Sequence, residues 1–108
     1  MKCNWKHPVF EQVYERADGC SEISGLPVYP VTNMNFAHIL PKGKFPELCY
    51  DPENVLFVTA NEHTLLDHGT HDQRMRYATM MAGYKVTVNW NKFYDKKDEL
   101  GQKVRGTI

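Results

Sequence analysis

The chain has 108 residues, with 13 Lys and Arg against 13 Asp and Glu, and a formal net charge of zero. That length makes one domain with one modest core, and the even balance excludes a whole-protein basic field, so any nucleic-acid contact has to come from a local patch. No stretch approaches the ~20 apolar residues of a membrane helix and the first residues carry no apolar run, so the expectation is a cytoplasmic protein with neither a secretory signal nor a membrane partner.

In chain order, residues 8–17 place Val9, Phe10, Val13, Tyr14 and Ala17 in one stripe at helical spacing. Pro8 suits a first turn and Asp18-Gly19 an exit, which predicts a short helix. Residues 23–30 hold Ser24-Gly25, Pro27 and Pro30 around Val28 and Tyr29. They read as a turn and a short edge strand, because two prolines rule out a central one. Residues 34–40 are apolar and strand-like, ended by Pro41 and Gly43. A loop over residues 42–53 follows, then a short apolar strand over 55–58. Thr59 and Glu62 stand in a capping-box arrangement at the start of the next helix. Leu65 and Leu66 anchor that helix, and His68-Gly69-Thr70 ends it.

A further helix is predicted over about 71–82, with Met75, Ala78, Met81 and Ala82 as its apolar stripe and Gly83 as its stop. Residues 85–88 are ambiguous between strand and loop. Asn89 or Asn91 caps a last helix whose buried side is Trp90, Phe93, Tyr94, Leu100 and Val104. Gly101 weakens it by roughly 1 kcal/mol relative to Ala.

Three cysteines, Cys3, Cys20 and Cys49, are odd in number and widely spaced. This argues against a disulfide framework and fits a reducing compartment. Cys3 and His7 are four apart and could share a metal, but they read better as two unrelated terminal residues.

The chemistry-bearing stretch is residues 35–69. His38 lies in the first predicted strand, Asn54 just before the second, and His63, Asp67 and His68 in the helix after it. Positions four apart share one face of a helix, so His63 and Asp67 can converge on one metal ion. An imidazole with a carboxylate suits zinc, manganese or magnesium. A histidine near neutral pKa, such as His38, can take a proton from an attacking water. Its ring needs a partner, and the Asn54 amide can serve.

This His–Asn–His order, in A-H-I-L, E-N-V-L and a histidine nine residues beyond the asparagine, resembles the small phage and prophage HNH (His-Me finger) endonucleases. The segment over residues 18–25 resembles the family's opening segment, with Ser24 where many members carry a second zinc-binding cysteine. The tail over residues 89–100 is similar to the family's C-terminal helix. The resemblance implies an α+β fold with a ββα-metal core, one helix before it and two after, and the active site between the His38 strand and the His63 helix. It implies a metal-dependent endonuclease that hydrolyses DNA phosphodiester bonds in the host cytoplasm. His38 would be the general base, Asn54 its orienting residue and His63 a ligand to a divalent Mg, Mn or Zn ion. Asp67 or His68 would be the second ligand, and helical geometry favours Asp67. One departure stands out: many members carry a metal ligand immediately before the base, and here that residue is Ala37, which leaves fewer protein ligands.

Lys42 and Lys44 follow the histidine strand and, with Lys6, are candidate phosphate contacts; lysine is equally the ordinary way to solvate a loop. Arg74 and Arg76 invite the same comparison. Trp5, Tyr29 and Tyr50 are candidates to stack on bases, although packing accounts for them as well. Two other readings stay open: a non-catalytic module of this fold that binds DNA or a phage protein, and a small structural zinc protein. A nuclease that cuts both strands often needs two copies or a partner, so a homodimer is a further expectation.

Overall fold

Helix α1, Pro8–Ala17, begins where the His7 side chain accepts from the Val9 N–H at 3.1 Å and Pro8 occupies the first turn. It ends at Asp18, whose φ of 55° turns the chain left-handed. These features belong to a computed structural model that describes residues 4–105. Cys3 lies outside the described residues, and with it the Cys3–His7 pairing.

The expected edge strand in residues 23–30 is absent. A single antiparallel bridge joins Cys20 to Pro27 and goes no further, because proline has no N–H to extend a ladder. The strand expected over 34–40 is also shorter. Thr32 and Asn35 cap each other around a 3₁₀ turn, Asn33–Asn35, and β1 covers only Phe36–His38. It pairs antiparallel with β2, Val55–Phe57, with Phe36 opposite Phe57, Ala37 opposite Leu56 and His38 opposite Val55. The loop between them contains two more 3₁₀ turns, Pro46–Leu48 and Pro52–Asn54.

Three helices follow. In α2, Ala60–His68, the capping box forms as expected: Thr59 accepts from the Glu62 N–H and Glu62 from the Thr59 N–H. Gly69 closes it because a Cβ there would meet the Leu65 carbonyl oxygen at 2.5 Å. α3 is His71–Ala82, capped by Thr70 and Gln73. Its buried residue is Tyr77 and not Met75, which is exposed; Ala78 and Met81 pack against the core from the side. Residues 85–88 form no strand. α4 is Asn91–Arg105, with Phe93 and Leu100 buried.

The fold is thus α+β, with four α-helices and a two-stranded antiparallel sheet among the described residues. The period-two alternation of the strands separates two cores. Phe36, Val55 and Phe57 pack with Val9, Phe10 and Val13 of α1. Ala37, Leu56 and Val58 pack with Leu66, Tyr77, Trp90, Phe93 and Leu100 of α2–α4. Arg74 ties the helical layer together. Its guanidinium donates to the Leu65 and Leu66 carbonyls at the end of α2 and lies over the rings of Phe93 and Tyr94. Arg74, weighed in the sequence as a phosphate contact or a solvating residue, thus sits at a helix C-terminus, where a cation is favoured.

Cys20 is a free thiol, whereas Cys49 is disulfide-bonded. The argument from odd number and wide spacing against disulfides is corrected at Cys49: spacing along the chain says nothing of which sulfurs the fold brings together. No helix among the described residues is long and apolar enough to cross a membrane.

Candidate active site

His38 is the last residue of β1 and follows Phe36 on the face turned toward α1, 6.2 Å from the Phe10 ring and 6.1 Å from Trp5. Its Nε2 lies 2.9 Å from the Cys49 carbonyl oxygen. A carbonyl only accepts, so the ring proton is on Nε2 and Nδ1 is the basic nitrogen of the neutral ring. Burial, with help from the charges of Lys42 and His63, lowers the His38 pKa below the ordinary 6.5, against the opposing pull of the Cys49 carbonyl and Asp67. The ring is therefore neutral and basic at physiological pH.

Asn54 acts one step back from that ring. It is fully buried. Its Oδ1 accepts from the Leu40 N–H at 2.8 Å, and its Nδ2 donates to the carbonyls of Leu40 and Leu48, each at 3.2 Å. Both amide protons are thereby used. Asn54 fastens the two ends of the loop that carries Lys42 and delivers Cys49 to His38, so the direct ring contact expected of it is replaced by a hold on the backbone.

Across the cleft, α2 presents His63 and Asp67 four residues apart on one face, with Nε2 2.9 Å from Oδ2. The other nitrogen, Nδ1, lies 2.7 Å from the Met34 carbonyl oxygen. Here too the carbonyl assigns the proton, and Nε2 points at the carboxylate. The hydrogen bond to Asp67 raises the His63 pKa, against the effect of burial. Burial opposes ionisation of Asp67, but the hydrogen bond from His63 and the charges of His63, His68 and His38 outweigh it and hold the carboxyl below its ordinary value.

The pair supplies two donor types that metal sites use, an imidazole nitrogen and a carboxylate oxygen. A histidine ligand commonly donates its second N–H to a carbonyl, which fixes the tautomer and aims the other nitrogen; His63 does this through Met34. Were a divalent cation held here, His63 and Asp67 would be its ligands, and its charge would stand in for that of the His63 proton. His68 lines the same cleft, but no three His, Cys, Asp or Glu side chains among the described residues come together as a metal-holding group. Ala37 is fully buried in the helical core and does not line the cleft.

The position of α2 depends on a buried carboxylate that the sequence shows only as a cap. Glu62 is 0% exposed. Its Oε1 accepts from Ser21 Oγ at 2.5 Å and from the Thr59 N–H at 3.0 Å, and its Oε2 from the Tyr77 hydroxyl at 3.0 Å. Burial, and then the Glu62 charge, push the Tyr77 phenol up to about 12. Glu62 thus joins the start of α2 to the residue-21 turn and to α3.

His38, His63, Asp67 and His68 line one cleft of about 690 Å³. Lys42 lines it and Lys44 does not; Lys44 lies 5.7 Å from the Phe45 ring. Trp5 forms part of the wall, whereas Tyr50 is stacked on His7 at 3.9 Å and Tyr29 is 95% exposed elsewhere. Lys97 of α4 also lines the cleft. Its signal was available: it lies four residues beyond Phe93 and so shares the helix face that the buried ring anchors.

No family model, curated protein or solved structure matches this chain.

Proposed function

We propose that this protein is a metal-dependent endonuclease with a ββα-metal core of the HNH (His-Me finger) type, acting on DNA phosphodiester bonds. One observation carries the reading: two histidines on facing elements, each with one ring nitrogen set by a backbone carbonyl, open onto one cleft with Asp67 beside the second. A base and a ligand need their ring nitrogens set in this way before substrate arrives.

In the proposed reaction His38 Nδ1 takes a proton from water as the water oxygen bonds to phosphorus and a P–O ester bond breaks. The lowered His38 pKa keeps the base form available below pH 6.5. His63 and Asp67 would hold a divalent cation, which when bound supplies positive charge to the phosphate as negative charge develops on it. Lys42 adds a cation on the same wall. Asn54 keeps the loop closed so that Cys49 holds His38 in place.

The test is plasmid nicking by purified protein with magnesium, manganese or zinc. Nicking of plasmid, or cutting of single-stranded DNA added beside it, that His38→Ala abolishes with the fold retained supports the reading; plasmid and single strand both left intact in every metal sink it. One observation favours a second reading, a non-catalytic module of the same fold that binds DNA or a phage protein: Ala37 is buried in the core, and only two protein ligands meet at the site. Metal-independent DNA binding without cutting would support it.

A further inference from the structure

The cleft is unlike a surface built for duplex DNA. A duplex is held by many phosphate contacts along a basic face, and this chain has a net charge of zero. The cleft has two lysines, Lys42 and Lys97, and much of the remaining wall is apolar, including Met34, Ile39 and Leu66. Each lysine lies over an aromatic ring: Lys42 Nζ is 4.8 Å from the Trp5 centroid, and Lys97 Nζ is 5.6 Å from that of Phe93. Phe93 is buried, whereas Trp5 is half-buried and stands in the cleft wall. A volume of about 690 Å³ lies in the range of small-ligand clefts and is too small to seat a duplex.

Apolar walls, an aromatic ring and a few cations are the means by which proteins hold unpaired strands, where bases stack on aromatic side chains and the backbone follows positive charge; here the ring is Trp5, which a base would reach by displacing the Lys42 ammonium that lies over it. We propose that the cleft takes an unpaired nucleic-acid strand, with Trp5 as the stacking platform for a base and Lys97 as a phosphate contact contributed by the C-terminal helix. This deepens the nuclease reading and rests on it for the orientation of the strand past His38. Lys97 and Trp5 would be binding residues, and the preferred substrate would have a single-stranded stretch at the cut site.

The experiment is fluorescence anisotropy of the full chain with a labelled thymidine strand of about ten nucleotides and with a duplex of equal length, in EDTA so that nothing is cut. The strand is expected to bind at least about tenfold more tightly than the duplex and to quench tryptophan emission, which reports Trp5 because Trp90 is buried. Trp5→Ala should weaken strand binding about 5- to 150-fold. Lys97→Ala, at an exposed site that leaves the core alone, should lower the salt dependence of log affinity by about 0.7. Trp5 packs 4.7 Å from Phe10, so if Trp5→Ala does not fold, Lys97→Ala decides. A strand that fails to bind, a duplex bound as tightly or more so, or a Lys97→Ala protein with wild-type salt dependence overturns the inference. The outcomes separate from those of the nuclease reading. A protein that binds the strand as described but cuts no nucleic acid in any metal sinks the nuclease reading alone, and one that cuts while preferring duplex sinks only the strand preference.

Discussion

On the strand side of the cleft, the Nε2 of His38 rests on the Cys49 carbonyl; on the helix side, the Nδ1 of His63 rests on the Met34 carbonyl. The two are anchored alike and titrate in opposite directions. Burial lowers the pKa of His38, whereas the hydrogen bond to Asp67 raises that of His63. Two like side chains therefore arrive at different chemistry through their neighbours: one is kept neutral, the other is held against a negative oxygen that suits a proton or a metal. Each wall has its own buried brace, Asn54 behind His38 and Glu62 behind His63.

The largest expected effect breaks the comparison outright. On the nuclease reading, His38→Ala should lower DNA cleavage about 10²- to 10⁴-fold with the fold retained by circular dichroism. Retained cleavage would mean that the strand wall is not where the proton goes. Next in size is the brace behind it. Asn54→Ala leaves the Leu40 N–H and carbonyl unpaired in the interior and removes one of the two donors to the Leu48 carbonyl, which keeps the Asp51 N–H, and urea unfolding should show a loss of about 3 kcal/mol. Cleavage should fall with it, since the loop that delivers Cys49 is released.

The brace behind the helix wall is expected to matter somewhat less. Glu62→Gln sets an amide against the donors of Ser21, Thr59 and Tyr77, of which it can satisfy only part, at a cost of about 2 kcal/mol in the same assay. A variant as stable as wild type would show that α2 is held by its apolar contacts alone.

The smallest effect sharpens the electrostatic contrast. His63 binds its proton more tightly folded than unfolded, so the stability it adds is fully present below about pH 6.5 and is lost as pH rises through its raised folded pKa. His38 binds its proton less tightly folded, so its effect has the other sign: stability falls as pH drops below about 6.5 toward its lowered pKa. Asp67→Asn should remove the part of the His63 contribution that its hydrogen bond supplies and, by taking away a charge that raises the His38 pKa, lower that pKa further, together costing about 0.5 kcal/mol at pH 6, less in high salt because Asp67 is partly exposed. An unaltered difference in melting temperature between pH 6 and pH 8 would refute the pairing. On the metal reading, affinity by calorimetry should rise with pH across the same interval, since the cation displaces the His63 proton.

Much of this protein was legible in the order of its residues. Helical spacing and caps located Pro8–Ala17, Ala60–His68 and His71–Ala82, and the step of four from His63 to Asp67 put both on one face. These are local relations, carried by a few neighbouring residues and the period of a helix. What lies far apart in the chain only the tertiary structure decided. Met34 and Cys49 were chosen as proton acceptors for the two histidines, Asn54 turned from the ring to the loop backbone, and Glu62 proved a buried tie as well as a cap. Tyr77 displaced Met75 from the core because its hydroxyl reaches that carboxylate. Lys97 came to the cleft because Phe93, one turn before it, is buried in the core that Leu66 of α2 shares, and the Arg74 guanidinium was drawn to the last carbonyls of α2. The reason is the same in each case. A buried polar group must find its partner wherever packing brings one, and packing is settled by the whole chain and not by any stretch of it.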